Sequence, residues 1–151
     1  IPIKPVKGYS VTLGLYDNIT MPAIPVIDDS MHAAVTPLGK RLRIAGTAEF
    51  IGFDTRIEQK RIDNLFTILD GLYPHIASQI SRQDAQTWAV LRPMSCDGKP
   101  FIGPSKIKGL YLNTGHGHLG WTMAMGSAYL LADLLESRTT EIDAQPFQAT
   151  R

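Results

Sequence analysis

A single cysteine, Cys96, stands among 151 residues, so no disulfide framework inside this chain can hold its fold, and the usage fits a reducing, cytosolic compartment. No stretch approaches the roughly 20 consecutive apolar residues that span a bilayer, which leaves the 44% hydrophobic content for a core. An excess of one charge is missing as well. Fifteen basic residues stand against fourteen acidic ones, for a net charge of +1, and the basic ones are scattered, so no cationic stripe offers itself to nucleic acid. Metal motifs are absent: there is no Cys-x-x-Cys and no His-Glu-x-x-His, and His116 and His118, two apart in a glycine turn, match no zinc spacing. Repeats and low-complexity tracts are lacking too. The chain opens at Ile1 directly into Pro2-Ile3-Lys4-Pro5 with neither signal peptide nor polar leader, and reads as cut from a longer polypeptide. At this length one compact domain is the default.

What is present reads as strands first and helices later. Val6 to Leu15 is rich in β-branched and aromatic residues and predicts a strand, with Pro5 and Gly8 suggesting an edge or a bulge near its start. Met31 to Thr36 and Arg41 to Phe50 flank the turn Pro37-Leu38-Gly39-Lys40 and predict a hairpin. Thr55-x-x-Glu58 is a capping box pattern, and Ile62, Leu65, Phe66, Leu69, Leu72 and Tyr73 then draw one apolar stripe along a helix that ends near Gly71, ahead of Pro74. Thr87 to Leu91 and Pro100 to Gly103 read as short extended pieces. A last helix, Leu119 to about Ser137, is expected to bury Met123, Ala124, Ala128, Leu131, Leu134 and Leu135. The fold class is α+β, a mixed and mostly antiparallel sheet with flanking helices.

The most informative stretch is Leu110 to Thr122, an apolar strand that runs through a glycine-rich turn into that last helix. Such a junction aims backbone N–H groups and the positive end of a helix dipole at one point, which suits an anion or an electron-rich carbonyl. Gly115-x-Gly117-x-x-Gly120 satisfies the dinucleotide fingerprint between strand and helix. The second half of that unit, a parallel strand ending in an acidic residue roughly 20 positions on, does not follow. The turn therefore cannot hold an adenine dinucleotide by itself and supplies one wall of a site built with other chain.

Three segments together carry a resemblance: Pro5-Val6-Lys7-Gly8-Tyr9-Ser10; Leu91-Arg92-Pro93-Met94-x-x-Asp97-Gly98-x-Pro100-x-Ile102-Gly103; and Leu112-Asn113-Thr114-Gly115-His116-Gly117-x-Leu119-Gly120-Trp121-Thr122-Met123. In this order the chain resembles the C-terminal part of the D-amino-acid dehydrogenase small subunits, within the FAD-dependent amine and amino-acid oxidases that include glycine oxidase and D-amino-acid oxidase. The Trp-Thr-Met ending favours the dehydrogenases. The resemblance implies a substrate-binding domain over 1–108, a closing strand, glycine turn and helix of the FAD-binding domain over 109–137, and a polar tail over 138–151. The N-terminal Rossmann-type FAD unit would be missing. It implies oxidation of a D-amino acid to an imino acid, hydrolysed to a 2-oxo acid and ammonia, with electrons passed through FAD to a quinone or respiratory-chain acceptor. The location would be cytoplasmic, with peripheral attachment to the cytoplasmic face of a bacterial inner membrane. A non-catalytic ligand or interaction module, or an oxidase of the glycine or sarcosine type, is the alternative.

The same resemblance assigns roles. FAD would be contacted by His116, Gly117, Leu119, Gly120, Trp121 and Thr122, with the amides at the helix start and the Thr122 hydroxyl near the flavin C2 carbonyl, and with His116 facing the ring. Arg92 would grip the substrate carboxylate through two parallel hydrogen bonds; on its own residues it serves equally as an interdomain salt bridge. Tyr9 either enters the active site or packs in its strand, and His118 is a further substrate-contact candidate. Cys96 reads as an inert thiol. The flavin would do the hydride transfer, so no certain catalytic side chain is assigned and no metal is expected.

Overall fold

The computed structural model describes residues 1–14, 17–149 and 151; Leu15, expected to end the first strand, lies outside the described residues. The elements are β1 (Ile3–Gly14), β2 (Val26–Asp28), β3 (Ala33–Leu38), β4 (Arg41–Glu49), α1 (Gln59–Leu72), α2 (Pro74–Ala77), β5 (Gln86–Ser95), β6 (Phe101–Pro104), β7 (Tyr111–Thr114) and α3 (Gly120–Leu135). Five strands form a sheet in the order β2-β3-β4-β1-β5, while β6 and β7 make a second. The pairs β1–β4, β2–β3, β3–β4 and β6–β7 are antiparallel, as the α+β reading expects. Among the described residues no helix is long and apolar enough to cross a membrane.

Where length suggests one domain, the chain divides into two compact units, 7–91 and 1–6 with 92–151. β6 is hydrogen-bonded to β7 from Phe101↔Thr114 to Pro104↔Tyr111, so the segment after Leu91 folds with the closing strand.

In the 7–91 unit the predicted hairpin forms with a tighter turn. Leu38 pairs with Arg41 and Pro37 with Leu42, leaving only Gly39 and Lys40 in the loop. β1 carries the bulge suggested by Gly8, because the register slips between Lys7↔Glu49 and Tyr9↔Gly46. It is not an edge strand: β4 and β5 flank it. Val11, Leu13, Leu42 and Ile44 of the sheet and Leu65 and Leu69 of α1 are all buried in one core. Close packing of α1 depends on Gly46, where a Cβ would stand 2.9 Å from Ala33 Cβ and 3.2 Å from Leu65 Cδ2.

The capping box does not form. α1 starts at Gln59 with Glu58 at its N-cap and no side-chain cap. Asp54 competes for the preceding segment, accepting the Arg56 amide at 2.9 Å and pairing with its guanidinium at 2.6 Å, which holds 54–56 in a turn. The bulge serves a buried polar network on the same unit. The fully buried Lys7 donates from Nζ to the Arg56 carbonyl at 2.5 Å and lies 4.0 Å from Glu49. Glu49 accepts from the Tyr9 hydroxyl at 2.7 Å and from Arg61 Nε at 2.5 Å. Burial pushes the Glu49 carboxyl up, but the bonds from Tyr9 and Arg61 outweigh it and hold the group below the ordinary carboxylate range.

In the other unit the tail is tied down by Arg151. Its guanidinium pairs with both Asp97 oxygens at 3.0 and 3.1 Å, donates to the Lys99 carbonyl at 2.6 Å, and lies 3.9 Å from the Phe101 ring centre. The Arg151 hydrogen bonds hold the Asp97 carboxyl down at about 2. A depressed acid stabilises the fold above its unfolded pKa near 4 and loses that contribution as pH falls through its folded value. Melting temperature is therefore expected to drop between about pH 4 and 2 in part through this pair, and the Asp97→Asn variant should show a shallower decline over that window. Equal slopes would remove Asp97 from the acid response.

Candidate functional site

The glycine turn is built where the end of β5 meets the end of β7. Met94 makes an antiparallel bridge to His116, and His116 lies between two residues in the left-handed region, Gly115 at φ +84° and Gly117 at φ +58°. Gly117 is fixed twice over. Its φ disfavours any side chain, and a Cβ there would stand 2.4 Å from Met94 Sδ, far inside contact distance. The Met94 thioether thus packs on the turn itself. Strand side chains alternate faces, so Arg92, two residues back along β5, leaves the strand on the same face as Met94. Arg92 is partly buried, and burial pulls its guanidinium below the ordinary value, which marks a cation already stripped of part of its water.

From Gly117 the chain passes through a 3-10 turn, Gly117–Leu119, into α3. Leu119 at the N-cap offers no side-chain hydrogen bond, and the first turn holds no acidic residue. A 16-residue helix therefore begins with its positive end uncompensated by any side chain, where Ser, Thr, Asp or Asn would ordinarily stand. Trp121 beside it is 95% exposed, and Leu119 and Thr122 are also open on this chain. A helix start that no side chain caps, with the Thr122 hydroxyl in its first turn, suits an electron-rich ring system.

The structure gathers Arg92, Gly117, Leu119, Gly120, Trp121 and Thr122 in one unit, 92–151. His118 is in the 3-10 turn and exposed. His116, expected to face a flavin, turns its ring onto α3 and shares a 2.8 Å hydrogen bond from Nε2 with Ser127 Oγ. Tyr9 belongs to the other unit, where it is 2% exposed with its hydroxyl on Glu49. Cys96 is exposed and unbridged.

Two residues at this turn carry no site role in the sequence reading, Met94 and Ser127. The buried side of α3 runs through Ser127 and Leu130, with Met123 and Leu134 partly buried; Ala124, Ala128 and Leu135, expected inside, are exposed. A serine in step with Met123 and Leu130 was the available signal, since a polar residue on the buried stripe of a helix needs a named partner. Replacing Gly117 with Ala is expected to cost the full-length protein most of its retained FAD, read as flavin absorbance per protein after gel filtration. Retention at the parental ratio would free the turn from this role.

Fold and sequence place the chain in the class of flavin-dependent oxidoreductases. Residues 1–134 match the FAD dependent oxidoreductase family, and the chain belongs to it. The cofactor of that family is FAD. An uncharacterised oxidoreductase from Halorhodospira halophila is 48% identical over the whole chain, which covers 69% of that relative. D-amino acid dehydrogenase 1 of Mesorhizobium japonicum is 44% identical over the whole chain, which spans 35% of the relative's length. Among solved structures, glycine oxidase from Geobacillus kaustophilus superimposes with a TM-score of 0.90 at 27% identity, over 100% of this chain and 40% of its own. The chain thus spans little more than a third of that dehydrogenase and two fifths of that oxidase.

Proposed function

We propose that this chain is the C-terminal part of a flavoprotein dehydrogenase that oxidises D-amino acids to 2-oxo acids and ammonia, with electrons leaving to a quinone or another respiratory-chain acceptor. One observation carries the reading: Met94 packs on Gly117, so the face of β5 that bears Arg92 is also the face of the uncapped turn ahead of α3. The likeness to D-amino acid dehydrogenases at 44% identity supports the substrate class. Location at the cytoplasmic face of a membrane, and completion of the site by an N-terminal FAD-binding region, belong to the same proposal.

Arg92 grips the substrate carboxylate with two parallel N–H donors and so fixes the direction of the Cα–H bond. The amides of Gly120, Trp121 and Thr122 supply a field that favours negative charge, worth about 0.3–2 kcal/mol per helix end. Thr122 adds a hydroxyl donor. The chemistry that FAD would supply when bound is acceptance of the hydride, with its electron pair, from Cα. The amino nitrogen gives up a proton, and water then hydrolyses the imino acid to the 2-oxo acid and ammonia.

Anaerobic mixing of the FAD-loaded full-length protein with D-alanine and other D-amino acids is expected to bleach the flavin and yield one 2-oxo acid per flavin reduced. An inert flavin across such a panel would end the proposal. The glycine oxidase likeness favours a second reading, an oxidase; re-oxidation by oxygen as fast as by a quinone analogue, with peroxide formed, would select it.

A further inference from the structure

α3 has no capping side chain, yet something must fix how the chain enters it, because the direction of the first-turn amides is what the proposed cofactor site uses. We propose that His116 and Ser127 form that fixture: a positioning pair that clamps the glycine turn to the side of α3 and leaves the helix's first amides to the ligand. This inference rests on the function proposed above.

His116 is anchored on three sides. Its backbone bridges Met94, its carbonyl accepts the Leu119 amide at 3.1 Å, and its ring reaches Ser127 Oγ at 2.8 Å. Its Cβ would also meet a Cβ placed on Gly120 at 3.5 Å, so the first helical residue lies directly on the histidine. Ser127 is 6% exposed, and a hydroxyl buried to that degree needs a partner. Serines inside helices commonly turn back to the carbonyl four residues earlier and bend the helix; this one bonds out to the turn. The link joins the residue before the 3-10 turn to the end of the second turn of α3, across the segment that a capping side chain would otherwise organise. An N-cap Ser or Asp would fix the entry by occupying an N–H of the first turn. The His–Ser link fixes it and occupies none. Burial pulls the His116 pKa down, which favours the neutral ring, and a neutral imidazole carries one donor and one acceptor and so matches a hydroxyl in either direction.

The test uses the full-length FAD-loaded protein. His116→Leu and Ser127→Ala are each expected to weaken the preference for reduced over oxidised flavin about tenfold, which is about 30 mV toward negative potential for a two-electron couple. The double variant should be no worse than either single one, and the KM for a D-amino acid should stay within about twofold of the parent. His116→Gln, which places an amide nitrogen near the Nε2 position, should recover most of the potential. Unchanged potentials in both single variants, or fully additive shifts, would overturn the clamp and leave the flavin reading standing. A parent protein that binds no FAD would overturn both.

Discussion

Replacing Arg92 with alanine in the full-length protein is expected to raise KM for D-amino acids by about a hundredfold or more, with the flavin spectrum and the melting temperature close to the parent's. Truncating one partner of a desolvated, hydrogen-bonded charge pair costs roughly 2–5 kcal/mol, and each 1.4 kcal/mol is tenfold in affinity. Arg92 belongs to that regime because it is partly buried before any substrate arrives. The desolvation is met once, in folding, so the carboxylate finds a cation held in place. Lysine should recover only part of the loss, because a point charge cannot reproduce the two-pronged grip. Turnover at saturation should fall less than KM rises, as the residue binds and orients rather than reacts. A KM within threefold of the parent would remove Arg92 from the substrate site.

The largest stability effect is expected at Glu49. Glu49→Ala strips Tyr9 and Arg61 of their shared acceptor and the buried Lys7 of its neighbouring counter-charge, and breaking a buried ion pair from one side costs about 3–5 kcal/mol. Urea unfolding of the full-length protein, monitored at the transition that reports the 7–91 unit, should show a midpoint lowered accordingly. Tyr9→Phe removes one neutral donor from the same carboxylate and should cost about 1–2 kcal/mol without moving KM. A KM change in Tyr9→Phe at unchanged stability would return the tyrosine to the active site. Because Glu49 is held below the ordinary carboxylate range, its contribution is present above the unfolded pKa near 4.3 and drains away as pH falls through the lower folded value.

The strands, the hairpin and the two long helices were legible because alternation, apolar stripes and turn residues act locally. The bulge at Gly8 announced itself for the same reason, although the strand's place between β4 and β5 depends on pairing with distant residues. Where sequence and structure part, a competing partner wins. Thr55 and Glu58 had the spacing of a capping box, but Asp54 took the neighbouring amide and Lys7 took the Arg56 carbonyl. The apolar spacing of α3 predicts one buried face, whereas its buried stripe contains a serine whose partner lies eleven positions back in the turn. Arg92 and the glycine turn were each visible in the sequence. That they share one face became visible only when Met94 was found packed on Gly117.

That last contact exposes the turn to oxidative damage. Conversion of the Met94 thioether to its sulfoxide adds a polar oxygen to a sulfur already pressed against the one residue small enough to lie there, so the lesion would lever the loop away from the helix it feeds. An enzyme releasing peroxide at this spot would erode its own scaffold. A full-length protein that hands its electrons to a quinone, as proposed above, would spare this sulfur.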